Sequence, residues 1–326
     1  MDFELSDDQI ALQEAMRAFC ESRCGSEALH ELADAGGPTH QLWQELAEMG
    51  VFGLCVPEEQ GGAGLGWVEA MVVFEELGRS LVPGPLVATF LAAQNLPEAV
   101  SGDAIVTMLD SAARPVMLEH PDFANHLAVI DGEAVLSIGI DWSATDNDEA
   151  TSLDPLTPVI RIEEEHLSSM LEASSVLDTD AYLWQLRGAA LLAAQQLGIA
   201  AGATASAVAY AQERKQFDKP IGQFQAVKHL CSDMLTSVEV ARAAVYFAGA
   251  ILDDPSFGDE QRAVSTARLM ASEAANLCGR NCVQIHGGMG YTWEMDAHLY
   301  LKRAWVLDMT LTPPEQHAEV VAQLLS

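Results

Sequence analysis

Apolar residues recur at helical spacing through the C-terminal half of the chain. Between residues 224 and 252 they lie three, four or seven positions apart, which places them on one face of a long helix. The segment 253–258 contains proline and glycine and ends this helix, and Asp259 can cap the next one. With further helical segments at 188–211 and 294–307, the pattern predicts an antiparallel helical bundle.

The N-terminal region, to about residue 105, is also mostly helical in pattern. Ser6 and Gln9 have the spacing of a capping box, in which each side chain binds the other residue's backbone amide. A second helix is expected from Gln41 to Met49 and a third from Trp67 to Leu77. These elements predict a helical N-terminal domain.

Between about 105 and 172 the pattern changes to short apolar runs separated by Asp, Gly and Pro, and Asp131-Gly132 is typical of a hairpin turn. The acidic loop 141–154 is expected to project from this region. The expected strands are 104–109, 126–130, 134–138 and 159–162. We therefore predict a mainly α protein with a small middle β domain, divided into an N-terminal helical domain 1–105, a shortened β domain 106–172 and a C-terminal helical bundle 173–326.

The net charge of the chain disfavours polyanionic partners. The 326-residue chain has 48 acidic and 16 basic residues, a formal net charge of −32. That field repels phosphate backbones and anionic membranes, so we expect neither nucleic acid nor a membrane as a partner. The apolar segment 188–211 contains two glutamines and many small residues, and it is interpreted as a buried packing helix rather than a membrane span.

The N-terminus has no basic segment followed by an apolar run, so we expect no signal peptide and a cytoplasmic location. The six cysteines include no CxxC pair. Reduced thiols are the expectation for all of them, and no metal site is predicted.

Basic residues are concentrated in segment 214–225, RKQFDKPIGQFQ, between two predicted long helices. A guanidinium at Arg214 can bind a diphosphate through paired hydrogen bonds, and Phe217 can lie against a purine ring. The same residues are also explained as a solvated basic helix end that offsets the helix dipole. Spacing alone leaves both interpretations open.

Glycines are concentrated in segment 284–291, QIHGGMGY, after a predicted helix. They permit positive φ and let backbone amides approach a ligand closely, and Gln284 can bind a base edge or a phosphate. A glycine C-cap followed by a tight turn explains the same pattern, and a lone His286 is more often a packed histidine than a base.

Together the two segments resemble the acyl-CoA dehydrogenase family. Its R-x-x-F…P-I…F-Q and Q-I-x-G-G-x-G-[FY] patterns correspond to RKQFDKPIGQFQ and QIHGGMGY, and PEEQGGAGLGWVEAMVVFEELGR at 57–79 is similar to a third family segment. The likeness covers about 1–105 and 180–326. It implies the family fold, in which a helical domain, a β domain and a four-helix bundle follow each other, with FAD as cofactor and acyl-CoA as substrate.

In the family, these motifs contact the adenosine diphosphate half of the FAD held by the neighbouring subunit. The resemblance therefore implies a cofactor-binding set of Arg214, Gln216, Phe217, Gln225, Gln284, Ile285, His286, Gly287 and Gly288.

The sequence departs from the family at the catalytic base. Family members remove the thioester α-proton with a glutamate 27 residues after the glutamine of QIxGG or 26 residues before the motif arginine, and these positions hold Leu311 and Gly188 here. Neither residue can accept a proton, so we expect no catalytic residue in this chain. Glu315 is the first acid after Leu311, but the run from Thr312 to Glu315 also has the form of a capping box with proline at the first helical position.

The middle region also lacks the family's Thr-Glu-Pro, Gly-Ser-Asp and Trp-Ile-[ST] segments, which hold the flavin ring; Asp154-Pro155 is only a weak echo. The chain thus resembles the non-catalytic member of paired, shortened dehydrogenases in actinobacterial steroid side-chain β-oxidation. That resemblance implies an α2β2 heterotetramer with two FAD, in which a catalytic acyl-CoA dehydrogenase subunit supplies the base and most of the acyl-CoA site. A self-sufficient homomeric enzyme using Glu315 and a flavin-free structural subunit stay open as alternatives.

Overall fold

The structure is a computed structural model that describes residues 4–140, 148–150 and 152–324. The first three residues, part of the basis for the targeting prediction, and more than half of the predicted acidic loop lie outside the described residues. The chain forms two compact units. The first comprises Met1–His30, Trp67–Val82 and Ala189–Ser326, and the second comprises Glu31–Gly66 and Pro83–Gly188. The three-domain division of the sequence stays a prediction.

Within the described residues, the helices of the N-terminal and middle regions are α1 Asp7–Arg23, α2 Ser26–Asp34, α3 His40–Glu48, α4 Trp67–Arg79, α5 Leu86–Ala92, α6 Pro97–Val100 and α7 Glu164–Ala173. Those of the C-terminal region are α8 Ala181–Glu213, α9 Gln225–Asp253, α10 Glu260–His286, α11 Ala297–Met309 and α12 Pro314–Leu324. The strands are β1 Val106–Asp110, β2 Met117–Glu119, β3 His126–Asp131, β4 Ala134–Gly139, β5 Asp148–Ala150, β6 Val159–Arg161, β7 Ser175–Asp180, β8 Lys215–Gln216 and β9 Lys219–Pro220.

The second unit contains two small sheets. One has the strand order β1-β3-β4-β7 and the other β2-β6-β5. β1 pairs parallel with β3, whereas β3 and β4 form an antiparallel hairpin in which Asp131 lies opposite Ala134. The turn between them contains Gly132 at φ 61°, so the hairpin predicted from Asp131-Gly132 is confirmed. An apolar cluster from both sheets and α7 forms the core here, with Leu118, Leu127 and Val129 almost fully buried.

The first unit is a helical bundle in which α10 packs against α9, α11 and α12, and α4 packs against α1 and α9. Helices α4 and α8 are in direct backbone contact in this bundle. A Cβ added at Gly78 of α4 would lie 2.0 Å from the Gln195 carbonyl oxygen, and one added at Gly198 of α8 would lie 1.9 Å from the Glu75 oxygen. Because no side chain fits between these backbones, glycine is required at both positions.

Two helices, α8 and α9, are long and apolar enough to cross a membrane by composition. The most apolar part of α8 is 83% buried, which agrees with the interpretation of 188–211 as a packing helix. The corresponding part of α9 is only 33% buried, so α9 offers a partly open apolar face.

A buried polar network ties the bundle helices together. The fully buried Arg268 of α10 donates to the Gln196 side chain and to the Leu307 carbonyl. Asp308, after that carbonyl, accepts hydrogen bonds from Gln196 (2.7 Å), Ser272 (2.6 Å) and Asn276 (2.7 Å). Each buried oxygen is thereby paired, and the network fixes α11 against α8 and α10.

His317 of α12 lies beside this network and makes the fold sensitive to acid. It is 7% exposed, and its Nδ1 lies 3.1 Å from the Ser265 hydroxyl. Burial and the positive charge of Arg268 lower the pKa of His317 from 6.5 to about 4. The unfolded chain therefore takes up this proton first as the pH falls.

We expect the stabilising contribution of neutral His317 to be complete above about pH 6.5 and lost as the pH falls to about 4, with a change of roughly 1–3 kcal/mol. Urea unfolding at pH 7 and pH 4.5 measures it. His317→Gln is expected to flatten this dependence, while His229→Gln, an exposed control on α9, leaves it intact. Equal slopes for the two variants would contradict the assignment.

The sequence predicted most of these elements. The capping box of α1 is confirmed, because the Gln9 amide lies 3.2 Å from the Ser6 hydroxyl and the Ser6 amide lies 2.9 Å from the Gln9 side chain. The start of the last helical region was predicted too early. Residues 175–180 form β7, which pairs with β4, and α8 begins only at Ala181.

Candidate cofactor-binding site

A two-residue hairpin joins α8 to α9. β8 and β9 pair Lys215 with Pro220 and Gln216 with Lys219, so Phe217 and Asp218 form the turn. Their φ values are 53° and 64°, as a type I′ turn requires at both central positions. Bulky residues rarely adopt this conformation, so the flanking structure has to impose it. The turn at Phe217 and Asp218 therefore has a defined backbone conformation.

The turn exposes an aromatic ring. Phe217 is 85% exposed, and its ring meets Phe224 edge-on with the centroids 6.1 Å apart. The Lys219 ammonium lies 4.4 Å from the centroid of Phe224. An exposed ring of this kind, with cations nearby, is suited to stacking on a planar ligand that carries negative charge.

Hydrogen-bond donors beside the turn are available to a ligand. The Arg214 and Gln225 side chains are exposed and have no hydrogen-bond partner among the described residues. Gln216 is exposed, and its amide donates to the Lys215 carbonyl at 2.9 Å. α9 begins at Gln225 without a side-chain cap from Phe224, so in the described part of the chain its N-terminus is not capped by that residue's side chain. A helix N-terminus beside a guanidinium is favourable for a phosphate.

The glycine-rich motif ends α10. Gly287 caps the helix at φ 61°, ψ −137°, a conformation essentially restricted to glycine. A Cβ placed on Gly287 or Gly288 would meet no atom of another described residue within 4 Å, so the described structure leaves the space before these backbone atoms open. The Gln284 side chain is exposed on the last turn. The motif thus combines a helix cap with an accessible backbone.

The two motifs lie at one end of the bundle. Tyr210, in the last turn of α8, stacks on His286, with ring centroids 4.2 Å apart and planes 24° from parallel. His286 is 4% exposed, and its Nδ1 lies 2.8 Å from the Cys282 carbonyl, so this nitrogen is the donor. Burial lowers the pKa of His286 and favours the neutral ring. Sequence reasoning missed Tyr210, whose only signal is its position one turn before Arg214.

The side chains of Ile285 and His286 belong to the core, with 7% and 4% exposure. The other seven members of the predicted cofactor set have exposed side chains or an exposed backbone. Any direct contact of Ile285 or His286 with a cofactor would therefore involve the backbone.

The positions of the family base lie in two parts of the fold. Gly188 is within α8, and Leu311 follows α11 with φ 59° and is half-buried. Glu315 is exposed in the first turn of α12. That helix begins at Pro314, and among the described residues Thr312 makes no hydrogen bond to the Glu315 backbone, so the predicted capping box is wrong. Glu315 instead places a carboxylate near the positive end of the helix dipole.

Asp154-Pro155, the weak match to the family's flavin-ring segment, lies in a loop that the Asp154 side chain stabilises. Asp154 is buried, and its carboxylate accepts hydrogen bonds from the Thr157 hydroxyl (2.9 Å) and the Leu156 amide (3.1 Å). These two hydrogen bonds, both within the same loop, account for an aspartate at position 154.

Thiols and metal ligands add no further site. All six cysteines are free, and burial raises the pKa of Cys24 and Cys282 to about 12. Among the described residues, no group of three or more His, Cys, Asp or Glu side chains is placed to hold a metal ion.

Comparison with known proteins identifies the family. Residues 6–100 match the acyl-CoA dehydrogenase N-terminal domain, and residues 185–323 match the acyl-CoA dehydrogenase C-terminal domain. The chain belongs to the acyl-CoA dehydrogenase family, whose members depend on FAD. The resemblance drawn from the two motifs and the predicted fold class are both confirmed.

Within the family, the chain is similar to acyl-CoA dehydrogenase IpdE2. It is 32% identical to the Mycobacterium tuberculosis protein, with 95% of each chain covered, and 34% identical to that of Mycolicibacterium smegmatis, with 96% of this chain and 97% of the relative covered.

Solved structures share the fold. The ChsE4–ChsE5 complex of M. tuberculosis contains a chain with a TM-score of 0.79 and 21% identity, covering 100% of this chain and 99% of that one. The Tcur3481–Tcur3483 steroid acyl-CoA dehydrogenase has a TM-score of 0.79 and 23% identity, covering 98% of both chains.

Proposed function

We propose that this chain is the non-catalytic subunit of a heteromeric, FAD-dependent acyl-CoA dehydrogenase. One contrast carries the proposal. The end of the bundle formed by the hairpin and the glycine cap offers an exposed guanidinium, an exposed aromatic ring and open backbone. Both positions at which the family places its base hold residues without a carboxylate, Leu311 and Gly188. The chain is equipped to bind part of a cofactor and not to remove a proton.

In this proposal the site holds the adenosine diphosphate half of a FAD that belongs mainly to the partner. Arg214 binds the diphosphate, Phe217 stacks on the adenine, and the amides at Gly287 and Gly288 approach the nucleotide. Bound FAD supplies the hydride acceptor for acyl-CoA oxidation. The partner supplies the flavin-ring pocket and the carboxylate that takes the α-proton.

The same reasoning extends to the assembly and the substrate. One chain type with the base and one with the nucleotide contacts give half as many complete sites as chains, which fits the α2β2 heterotetramer with two FAD that the resemblance implies. The fold shared with the ChsE4–ChsE5 complex and with a steroid acyl-CoA dehydrogenase supports a second family chain as partner. We propose a steroid side-chain CoA thioester as substrate, in lipid β-oxidation in the cytoplasm.

Arg214→Ala tests the nucleotide contact. In the co-purified complex we expect FAD to be retained about 10- to 150-fold more weakly, since each hydrogen bond to a charged group contributes roughly 1.5–3 kcal/mol. Flavin release during gel filtration and titration with added FAD measure the change. Arg262→Ala, near the opposite end of α10, is the matched control and is expected to leave retention unaltered. Equal retention by both variants would overturn the role of Arg214.

Glu315→Gln separates the proposal from a self-sufficient enzyme. The exposed carboxylate is not in a water-excluded pocket, so we expect turnover by the complex to change less than about twofold. If Glu315 were the base, its loss would lower the rate by about a thousandfold. Steady-state turnover with an artificial electron acceptor decides between the two, and a loss on that scale would show that Glu315 acts as the base and contradict the non-catalytic role.

A further inference from the structure

A cavity of about 630 Å³ opens in the first unit, away from the proposed cofactor site. It lies between α1 and α9 and is floored by α4. None of its lining residues belongs to the predicted cofactor set. The volume is within the range of small-molecule sites, roughly 300–1,000 Å³.

Two ion pairs close the floor of the cavity; Arg17, Glu75 and Arg242 line it, and Glu76 lies behind Arg17. The carboxylate of the buried Glu76 accepts hydrogen bonds from Nε and Nη2 of Arg17, at 3.0 and 2.6 Å. The carboxylate of the buried Glu75 accepts hydrogen bonds from Nη2 of Arg242 at 2.9 Å and from the Tyr246 hydroxyl at 2.6 Å. The Glu76 carboxylate raises the pKa of Arg17, and, although burial lowers that of Arg242, Glu75 raises it overall. These four charges cancel, so the floor does not demand a charged ligand.

Two donors are left over beside the floor. The bidentate pair with Glu76 uses Nε and Nη2 of Arg17, and Nη1 has no hydrogen-bond partner among the described residues. The half-buried Gln13 lies one turn earlier on the same face of α1, and its amide is likewise unpartnered in the described part of the chain. Leu5, Ala243 and Phe247 supply an apolar wall.

We infer that this cavity binds an uncharged, mainly apolar molecule that carries one hydrogen-bond acceptor, such as a ketone or ester carbonyl. The apolar wall takes the body of the ligand, and Arg17 and Gln13 donate to its oxygen. A carboxylate is disfavoured because Glu239, at the rim, adds a negative charge to a balanced floor. A cationic ligand would meet only the Glu239 carboxylate, which is 59% exposed and already paired with Arg242, so it gains little.

Calorimetric titration of the full chain, in the form in which it purifies, with 2-nonanone, nonanoate and nonylammonium tests this assignment. We expect saturable binding of 2-nonanone, at least about fivefold tighter than that of either charged analogue. Gln13→Leu should weaken ketone binding by about three- to tenfold, the range for one lost hydrogen bond. Arg17→Lys keeps a cation against Glu76, removes the free guanidinium nitrogen and should have a similar effect.

Ala243→Trp fills the cavity and should abolish binding of all three probes. Ala318→Trp, the same change at an exposed position of α12, should leave binding intact and controls for an added indole. No saturable ketone binding, tighter binding of a charged analogue, unchanged binding by Ala243→Trp, or loss of binding when a partner chain associates would each overturn the inference. FAD content is read separately from its absorbance, so failure of the proposed function is distinguishable from failure of this site.

Discussion

Expressed alone, the chain is expected to purify without bound flavin and to leave acyl-CoA thioesters unchanged. Co-expressed with the acyl-CoA dehydrogenase chain that it captures in a pull-down, it is expected to yield a yellow, active complex. The reason is that, in the proposed function, Arg214 and Phe217 contact only the nucleotide half of the FAD while the partner holds the flavin ring, and Leu311 and Gly188 provide no base. The visible absorbance spectrum and turnover with an artificial acceptor report both outcomes.

The stoichiometry sharpens this test. The proposal gives one FAD for each pair of unlike chains, which combined mass and absorbance measurements determine. Stoichiometric FAD together with turnover by the lone chain would contradict it. A complex whose flavin content does not change when Arg214 is replaced would instead favour a structural subunit that makes no cofactor contact.

Arg242→Met is expected to be the most destabilising of the substitutions considered. It removes the guanidinium from the Glu75 carboxylate, whose side chain is only 2% exposed, and leaves a buried negative charge with the Tyr246 hydroxyl as its remaining partner. Breaking a buried pair in this way costs about 3–5 kcal/mol. Methionine keeps much of the apolar stem of arginine, so the loss reports the charge rather than the packing. Urea unfolding of the full chain measures it.

Glu239→Gln is the matched control, because it removes the other carboxylate that contacts Arg242. Glu239 is 59% exposed, and an exposed pair contributes about 0–1 kcal/mol. A large loss for Arg242→Met with a small one for Glu239→Gln is the expected pattern. Similar values for the two variants would show that Glu75 is not held by a buried ion pair in solution.

Helical periodicity was enough to predict the bundle, since α9 and α10 are long and end at proline and glycine signals that the sequence displays. It was not enough for β7. The sequence SVLDTD in 175–180 is mostly polar and exposed, and it becomes a strand because β4 provides a partner 38 residues earlier in the chain for Ser175. Pairing of that kind depends on tertiary structure, which local pattern does not encode.

The candidate site divides in the same way. The residues of both motifs could be named from the sequence because they are contiguous and resemble a family pattern. The stacking of Tyr210 on His286 and the burial of His286 could not, because they depend on which helix ends meet. The ion pairs of Glu75 and Glu76 join residues 167 and 59 positions apart. Two adjacent acids within the apolar α4 were the visible signal that buried partners existed.

The contact of α4 with α8 at Gly78 and Gly198 has a mechanical consequence. Side chains between packed helices can change rotamer and so accommodate small displacements. Here no side chain separates the two backbones. We expect a displacement of α8 along this contact to displace α4 as well, and with it Glu76 and Glu75, which pair with Arg17 of α1 and Arg242 of α9. The hairpin at the end of α8 is then expected to move together with these ion pairs.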